Sequence, residues 1–206
     1  MNSELPFRII FLTLWIVFLT ISYARKPQQL GSRAIRERLK EASKWESKLD
    51  VALRVTLFFF WSAAVILYVI YTDWMTHYVL PLPTWLRWIG GGVAIVSLPL
   101  LAWAHHVLGE QFSPSLRLRE EHILVTSGPY HWIRHPMYTA ESVFMIALAV
   151  ESANWLVVLQ VVAAIAVLYE RTCKEEVMMI ERFGDEYHAY MKHTGRFLPR
   201  FKDSNQ

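Results

Sequence analysis

Residues 137–169 read MYTAESVFMIALAVESANWLVVLQVVAAIAVLY, and this apolar block decides the fold. The short polar run Glu151–Asn154 interrupts the block and predicts a turn between two antiparallel helices, both short for a bilayer. Glu141 lies inside the first helix, where a carboxylate is costly unless it faces a protein interior, a wet cavity or the membrane interface. The block therefore predicts a helical hairpin in a membrane.

Three earlier apolar runs, Ile9–Ala24, Val55–Thr72 and Trp88–Val107, each approach the roughly 20 residues that span a bilayer core. Pro99 is expected to kink the third run. We expect the first run to be a retained anchor, with a cleaved signal peptide as the alternative. The sequence thus predicts an all-α integral membrane protein with five transmembrane helices, the last two forming the hairpin.

Composition agrees with a membrane protein. The chain has 206 residues, of which 54% are hydrophobic and only 19% charged, which excludes a disordered polymer and argues against a soluble globular domain. Its single cysteine, Cys173, excludes an internal disulfide and a CxxC motif.

Basic residues are distributed unequally between the two sides that five spans define. The segments 25–54, 109–136 and 170–206 hold nineteen of the 21 Lys and Arg residues, and the opposite side holds two, Arg8 and Arg87. The positive-inside rule then predicts an amino terminus outside and a carboxyl terminus in the cytoplasm. Because the membrane explains the basic excess, no nucleic-acid partner is expected. Residues 25–50 are expected to form a helix that faces solvent or lipid headgroups.

Two polar segments, Leu108–Tyr138 and Glu170–Arg200, are joined by the hairpin and can meet at one membrane face. Pro136 biases the preceding His135 away from helical geometry and can start the next helix. On the second segment, Arg171 and Glu175 are four residues apart and share a helix face. They form either an exposed ion pair, with Glu176 solvated, or the charged rim of a cavity.

Histidine spacing raises the possibility of a metal centre. His131 and His135 are four residues apart, but Pro136 makes a continuous helix through both positions doubtful. The other histidines show no repeated spacing. We therefore predict no metal site.

The order of the motifs around the hairpin resembles the isoprenylcysteine carboxyl methyltransferase family, particularly its small prokaryotic members, and more distantly the phospholipid N-methyltransferases. The resemblance covers roughly Leu108–Pro199. Its motifs are His122-Ile123-Leu124-Val125, Gly128-Pro129-Tyr130, Arg134-His135-Pro136-Met137-Tyr138, Arg171, Glu175-Glu176, and Phe183-Gly184-Asp185-Glu186-Tyr187 with Tyr190.

The resemblance implies a methyltransferase with S-adenosylmethionine in a pocket at the cytoplasmic membrane face. The implied substrate is a hydrophobic or lipidated acceptor that enters from the bilayer, and Arg171 is the residue expected to reach it. One membrane domain, 1–206, is expected, with three spans in 1–107 and the cofactor-binding core in 108–206. The residues implied to hold the cofactor are His122, Ile123, Leu124, Val125, Gly128, Tyr130, Arg134, His135, Pro136, Met137, Tyr138, Glu175 and Glu176.

Two departures from the family pattern are present. Thr139-Ala140-Glu141 follows the RHPMY motif, where eukaryotic members often have a small residue and Gly, and this is expected to reshape the entry of the lipid. Ser115 stands where some relatives have a longer polar side chain that serves the cofactor, so that contact is not carried over. The identity of the substrate and its nucleophile stays open. The favoured acceptor is a carboxylate, and the alternative acceptor is an amine of a phospholipid. Two further alternatives are not methyltransferases: a membrane reductase that uses NADPH, and a helical scaffold without activity.

Overall fold

A computed structural model of the chain contains six α-helices in the described residues. These residues are 4–23, 40, 42–70, 76–113, 116 and 122–200. The helices are α1 (Leu5–Tyr23), α2 (Lys48–Ile70), α3 (Thr84–Leu108), α4 (Pro136–Ser152), α5 (Trp155–Phe183) and α6 (Asp185–His193). Two isolated β-bridges, Val79 with Asn154 and Ile133 with Gly195, are the strand-like pairs among these residues.

The prediction of a nearly all-helical membrane protein is confirmed. Within the described residues, four helices, α1, α2, α3 and α5, are long and apolar enough to cross a bilayer. Large apolar side chains also face outward, including Phe59 and Phe60, which are 65% and 62% exposed. An exposed apolar surface of this extent is typical of a lipid-facing protein. The remaining predicted span is α4, the first helix of the hairpin. It has 17 residues and is shorter than the second helix, α5, which has 29.

The predicted turn is present, but it is shorter and more buried than the sequence indicated. Helix α4 continues through Glu151 and Ser152, and only Ala153 and Asn154 separate it from α5. The Asn154 side chain caps α5 by accepting a hydrogen bond from Leu156 N at 3.0 Å. Glu151 is 1% exposed, because Arg87 from α3 packs there and its Nε donates to the Glu151 carbonyl at 2.9 Å.

Close packing of α3 against α4 forms the centre of the fold. Gly90 makes it possible, since a Cβ at this position would lie 2.8 Å from both Ala147 O and Glu151 N of α4. The shared core contains Phe144 and Leu148 of α4, Leu101 of α3 and Phe11 of α1, each at most 1% exposed. Helix α5 then packs on α4 and α2.

The ends of the helices put the two polar segments together. Pro136 stands at the first position of α4, as predicted, and Gly184 ends α5 with a φ of 51°. Helix α5 runs for 29 residues, well past the apolar run that ends at Tyr169, and carries Arg171, Glu175 and Glu176 on its last turns. Pro99 lies within the continuous helix α3. Of the headgroup-facing helix predicted over 25–50, residues 24–39 and 41 lie outside the described part, and residues 42–45 are helical.

Candidate active site

A pocket lies at the end of the hairpin where α4 begins and α5 leaves the apolar core. We call it the candidate pocket. It is lined by residues from the end of α3, from the irregular segment 122–125, from the start of α4 and from α5 and α6. The predicted residues that line it are His122, Ile123, Leu124, Val125, Tyr130, Arg134, His135, Met137, Tyr138, Arg171 and Glu175.

Three predicted cofactor residues do not line the candidate pocket, each for a structural reason. Gly128 begins a 3-10 turn with a φ of 57°, and a Cβ there would lie 2.9 Å from Val107. Pro136 starts α4 and faces a different, apolar groove between α3 and α4. Glu176 is buried behind the pocket wall, only 3% exposed.

A chain of hydrogen-bonded side chains, two of them buried, crosses the wall of the candidate pocket. Arg171 Nε donates to Tyr138 Oη at 2.8 Å, and Tyr138 Oη donates to Glu175 Oε2 at 3.0 Å. Arg171 and Tyr138 are 8% and 7% exposed. The interpretation of Arg171 and Glu175 as an exposed ion pair is therefore wrong, because the hydroxyl of Tyr138 stands between them and the guanidinium is buried.

A fourth member of this arrangement, Glu46, comes from a distant part of the chain. Glu46 precedes α2, and its Oε1 accepts a hydrogen bond from Arg171 Nη1 at 2.7 Å and from Arg54 Nη1 at 2.5 Å. The Glu46 side chain is 2% exposed. Nothing in the local sequence around Glu46 indicated this contact, because it joins residues 125 positions apart.

Glu176 organises the loop that starts α4. Its Oε1 accepts from Arg134 Nε at 2.8 Å and lies 3.4 Å from His135 Nε2, and its other oxygen accepts from Arg196. The alternative in which Glu176 is solvated is therefore wrong, because its carboxylate is buried and receives two guanidiniums. The guanidiniums of Arg134 and Arg196 share the Glu176 carboxylate, and these contacts hold residues 134–135 against the segment after α6.

The segment after α6 is tied to the same junction by its backbone. Arg134 N donates to Gly195 O at 2.8 Å, and His135 N donates to Arg196 O at 3.1 Å. Arg134 Nη1 also donates to Thr194 O at 2.6 Å. Residues 194–196 therefore form a strap over the start of α4, and the carboxyl-terminal part of the chain holds the pocket together.

Residues beyond the predicted set also line the candidate pocket, and α6 supplies two of them. Tyr190 Oη donates to Tyr130 O at 2.5 Å, and burial raises the pKa of Tyr190 to about 12, so the phenol stays protonated near neutral pH. Burial likewise raises the pKa of Tyr187. Both tyrosines belong to the last motif of the resemblance, which was the signal for them. The further lining residues are Leu108, Gln111, Phe112, Ser113, Leu116, Met178 and Met179.

Gln111 had no signal in the sequence. It stands in the 3-10 turn after α3, and its Oε1 is buried without a hydrogen-bond partner among the described residues. A buried carbonyl without a donor is costly, so a ligand that donates a hydrogen bond would relieve it. In the described part of the chain, no group of three or more His, Cys, Asp or Glu side chains converges as a metal site would require.

Comparison with known families identifies the central part of the chain. Residues 90–181 match the model of the isoprenylcysteine carboxyl methyltransferase family. The chain is 34% identical over 124 residues to protein-S-isoprenylcysteine O-methyltransferase of Rattus norvegicus, covering 58% of this chain and 43% of that protein. It is 30% identical over 118 residues to the protein of the same name from Tribolium castaneum, covering 56% of this chain and 42% of that protein.

A bacterial protein with a different name is also similar. The cobalt-zinc-cadmium resistance protein of Cupriavidus metallidurans is 27% identical over 109 residues, covering 53% of this chain and 46% of that protein. The chain thus spans less than half the length of these curated relatives.

The fold has a counterpart among solved structures. The structure of the eukaryotic intramembrane Ras methyltransferase, isoprenylcysteine carboxyl methyltransferase, without a monobody superposes with a TM-score of 0.54 at 22% identity. The match covers 93% of this chain and 62% of that chain. At this identity the match is evidence for a shared membrane fold.

Proposed function

We propose that this chain, which belongs to the isoprenylcysteine carboxyl methyltransferase family through its residues 90–181, is an S-adenosylmethionine-dependent methyltransferase. Its acceptor is a carboxylate on a hydrophobic or lipidated molecule. One observation carries this proposal: the hydrogen-bonded chain Arg171–Tyr138–Glu175 lies in the wall of a pocket at the end of an apolar helical hairpin. A cation for the acceptor and a carboxylate for the cofactor thus stand next to each other.

The lining of the candidate pocket fits S-adenosylmethionine. Glu175 offers a carboxylate suited to hydroxyl or ammonium donors, and Gln111 offers a buried carbonyl that has no donor among the described residues. Tyr130, Tyr190 and Met178 add aromatic and apolar surface that suits a purine ring. We propose that the lining residues predicted from the resemblance hold the cofactor, with Arg134 and Glu176 acting as supports of the loop.

The chemistry asks little of the protein beyond positioning. S-adenosylmethionine, when bound, supplies a methyl group on a sulfonium that a nucleophile can displace. A carboxylate is already ionised near neutral pH, so no general base is needed, and Arg171 can orient it through paired hydrogen bonds. Holding two reactants in attack geometry can supply about 7–11 kcal/mol.

An amine acceptor has less support in this site. It would need a base near the nucleophile, and the candidates expected from the sequence are Glu141 and His135. Glu141 lines a separate cavity between α1, α2, α4 and α5, whereas His135 lines the candidate pocket. Its Nε2 lies 3.4 Å from Glu176 Oε1, inside the network that fixes the loop. His135 therefore belongs to the contacts that hold the loop, and we favour the carboxylate acceptor, which needs no base.

For the membrane arrangement, we propose five spans in a single domain, in which α4 crosses the membrane in addition to α1, α2, α3 and α5. At 1.5 Å per residue its 17 residues reach about 26 Å, close to a hydrocarbon core of roughly 30 Å. The nineteen-to-two distribution of Lys and Arg supports an amino terminus outside and a cytoplasmic pocket. The resemblance to small prokaryotic members of the family leads us to propose the inner membrane of a bacterium or archaeon. A carboxyl-terminal fluorescent-protein fusion that fluoresces only in the cytoplasm tests the orientation, and a dark, fully expressed fusion would contradict it.

Two measurements test the activity. Purified protein in detergent should bind S-adenosylhomocysteine by calorimetry, and membranes should transfer tritium from labelled S-adenosylmethionine to a prenylated cysteine. Alkali should release the label as methanol, because methyl esters hydrolyse in base, whereas a base-stable product would indicate an N-methyltransferase. Arg171→Ala and Glu175→Ala should abolish transfer, while Glu181→Ala, at an exposed position of the same helix, should not. Full transfer in both of the first two variants would overturn the assigned site.

A further inference from the structure

A second cavity opens between the apolar faces of α1, α2, α4 and α5, and we call it the lateral chamber. It has a volume of about 230 Å³ and its walls include Trp15, Phe58, Trp61 and Met145. Its mostly apolar lining suits a hydrocarbon chain that arrives from the bilayer. Arg54 and Glu141 are the charged residues in its wall.

A narrow charged crevice lies between the lateral chamber and the candidate pocket. Arg54 and Val167 line both the chamber and the crevice. Leu116 and Arg171 line both the crevice and the candidate pocket. The three cavities therefore follow one another, and a molecule with its tail in the chamber would meet Arg54 and Arg171 before it reached the cofactor.

The Glu46 carboxylate lines this crevice and bridges its two arginines. One of its oxygens accepts from both Arg54 and Arg171, at 2.5 and 2.7 Å. Both guanidiniums thus direct a donor at the same carboxylate oxygen, and this geometry suits an anion at this place. The two arginines therefore form a preorganised carboxylate site whose present occupant belongs to the chain itself.

We propose that Arg54 and Arg171 together bind the acceptor's carboxylate, and that Glu46 occupies this site until the acceptor displaces it. This inference rests on the proposed function for the identity of the acceptor. Exchange of one carboxylate for another keeps both guanidiniums paired, and the displaced Glu46 carboxylate moves to water on the side of the partly exposed Arg54, so neither charge is left buried without a partner. Arg54 lies outside residues 90–181, so this role comes from the amino-terminal part of the chain.

A different role for Glu46, as a support that orients Arg171, is less consistent with the contacts. Arg171 already has an anchor on α4, since its Nε donates to Tyr138 Oη at 2.8 Å. A support would also not need Arg54, whose side chain is 27% exposed and reaches in from α2 to the same oxygen. The two roles predict opposite effects of removing the Glu46 charge.

The test measures binding separately from methyl transfer. N-acetyl-S-farnesylcysteine and its carboxamide are titrated by calorimetry into the full chain in nanodiscs, with S-adenosylhomocysteine present. Glu46→Gln should bind the carboxylate at least about threefold more tightly, because a competitor that occupies the site raises the apparent Kd. The carboxamide should bind Glu46→Gln and the parent protein equally.

Variants of the arginine and a matched control complete the design. Arg54→Gln should weaken binding of the carboxylate about tenfold and leave the carboxamide unaffected, as expected for loss of a charged hydrogen bond. Lys174→Gln is the control, because Lys174 lines the same crevice but pairs with Asp50 and Glu170 instead. It should leave the Kd of both probes unchanged.

The outcomes separate the two proposals. Weaker binding of the carboxylate to Glu46→Gln would make Glu46 a support and would overturn the displacement, as would an unchanged Kd in Arg54→Gln. If Glu46→Gln does not fold, Arg54→Gln still decides whether Arg54 binds the acceptor's carboxylate, because this partly exposed residue tolerates replacement better. Absence of S-adenosylhomocysteine binding in the parent protein would instead overturn the proposed function, whatever the two probes show.

Discussion

Arg171 on α5 and Tyr138 on α4 meet inside the protein, with Arg171 Nε donating to Tyr138 Oη at 2.8 Å. The same hydroxyl donates to Glu175, so one phenol joins the residue assigned to the acceptor with a residue assigned to the cofactor. The contact also links the two helices of the hairpin at the end where the pocket opens.

Removing this hydroxyl should impair the reaction without unfolding the protein. Tyr138→Phe is expected to lower kcat/KM for methyl transfer by about tenfold, the loss typical of one hydrogen bond to a charged group. Steady-state kinetics with a prenylated cysteine measure the effect. Tyr169→Phe is the control, because Tyr169 is 54% exposed on α5 and should retain parental kinetics. Equal kinetics for Tyr138→Phe and the parent protein would contradict the joining role.

Neutralising Glu176 should destabilise the protein. Glu176→Gln removes a buried charge that receives Arg134 and Arg196, and breaking one partner of a buried ion pair typically costs about 3–5 kcal/mol. We expect a clear drop in the thermal unfolding midpoint and weaker binding of S-adenosylhomocysteine, because the loop before α4 loses its anchor. Differential scanning fluorimetry reports the first effect. Glu181→Gln, exposed on the same helix, should unfold like the parent protein, and an equal midpoint for Glu176→Gln would refute the prediction.

Glycine at position 90 should be required for the contact between α3 and α4. Gly90→Ala would place a Cβ 2.8 Å from two backbone atoms of α4, and forcing extra volume into packed helices typically costs about 1–3 kcal/mol. Gly92→Ala on the same helix is a close control, since a Cβ there meets nothing within 4 Å. Thermal unfolding in one detergent should rank Gly90→Ala below both the parent protein and Gly92→Ala. The opposite ranking would show that the helices are less closely packed.

The ion pair near the start of α1 should make stability depend on pH. Two hydrogen bonds from Arg87, at 2.7 and 2.8 Å, hold the pKa of the Glu4 carboxyl below its usual value of 4.5. A depressed pKa in the folded state means that the pair stabilises the fold above pH 4.5 and that this contribution disappears as the pH falls through the folded pKa.

Glu4→Gln should therefore melt at a lower temperature than the parent protein at pH 7, with the difference disappearing on acidification below the folded pKa. The difference should be small, about 0.2–1 kcal/mol, because the Glu4 side chain is 41% exposed. Paired unfolding curves from pH 7 down to the acid limit of solubility measure it. A difference that grows as the pH falls would have the wrong sign for this mechanism.

Local patterns were sufficient for most of the architecture. The proline at position 136 indicated where α4 begins, and the interruption near Asn154 indicated where α4 ends and α5 begins. Both signals are local, because turn and helix-start preferences depend on neighbouring residues. The first apolar run was predicted as Ile9–Ala24 and the helix is Leu5–Tyr23. The difference at the amino end reflects Arg8, a charge that interrupts the apolar run although the helix continues through it.

Contacts between distant residues were not accessible in the same way. Nothing near Glu46 marks it as a partner of Arg171, and no local pattern distinguishes the buried Glu176 from a solvated carboxylate. Gln111 is a further case, since a glutamine in a turn has no fixed role until its surroundings are known. In each case the deciding quantity is which side chains the packed helices bring within hydrogen-bond distance.

The amino-acid sequence by itself determined that this chain is helical and membrane-embedded, and where its hairpin turns, because apolar runs and turn residues act over a few positions of the chain. Only the tertiary structure decided that Arg54, Glu46, Arg171, Tyr138 and Glu175 form one continuous polar path through the wall of the pocket. The physical reason is burial: once packed helices exclude water, each charged group needs a partner, and the fold chooses that partner from remote parts of the chain.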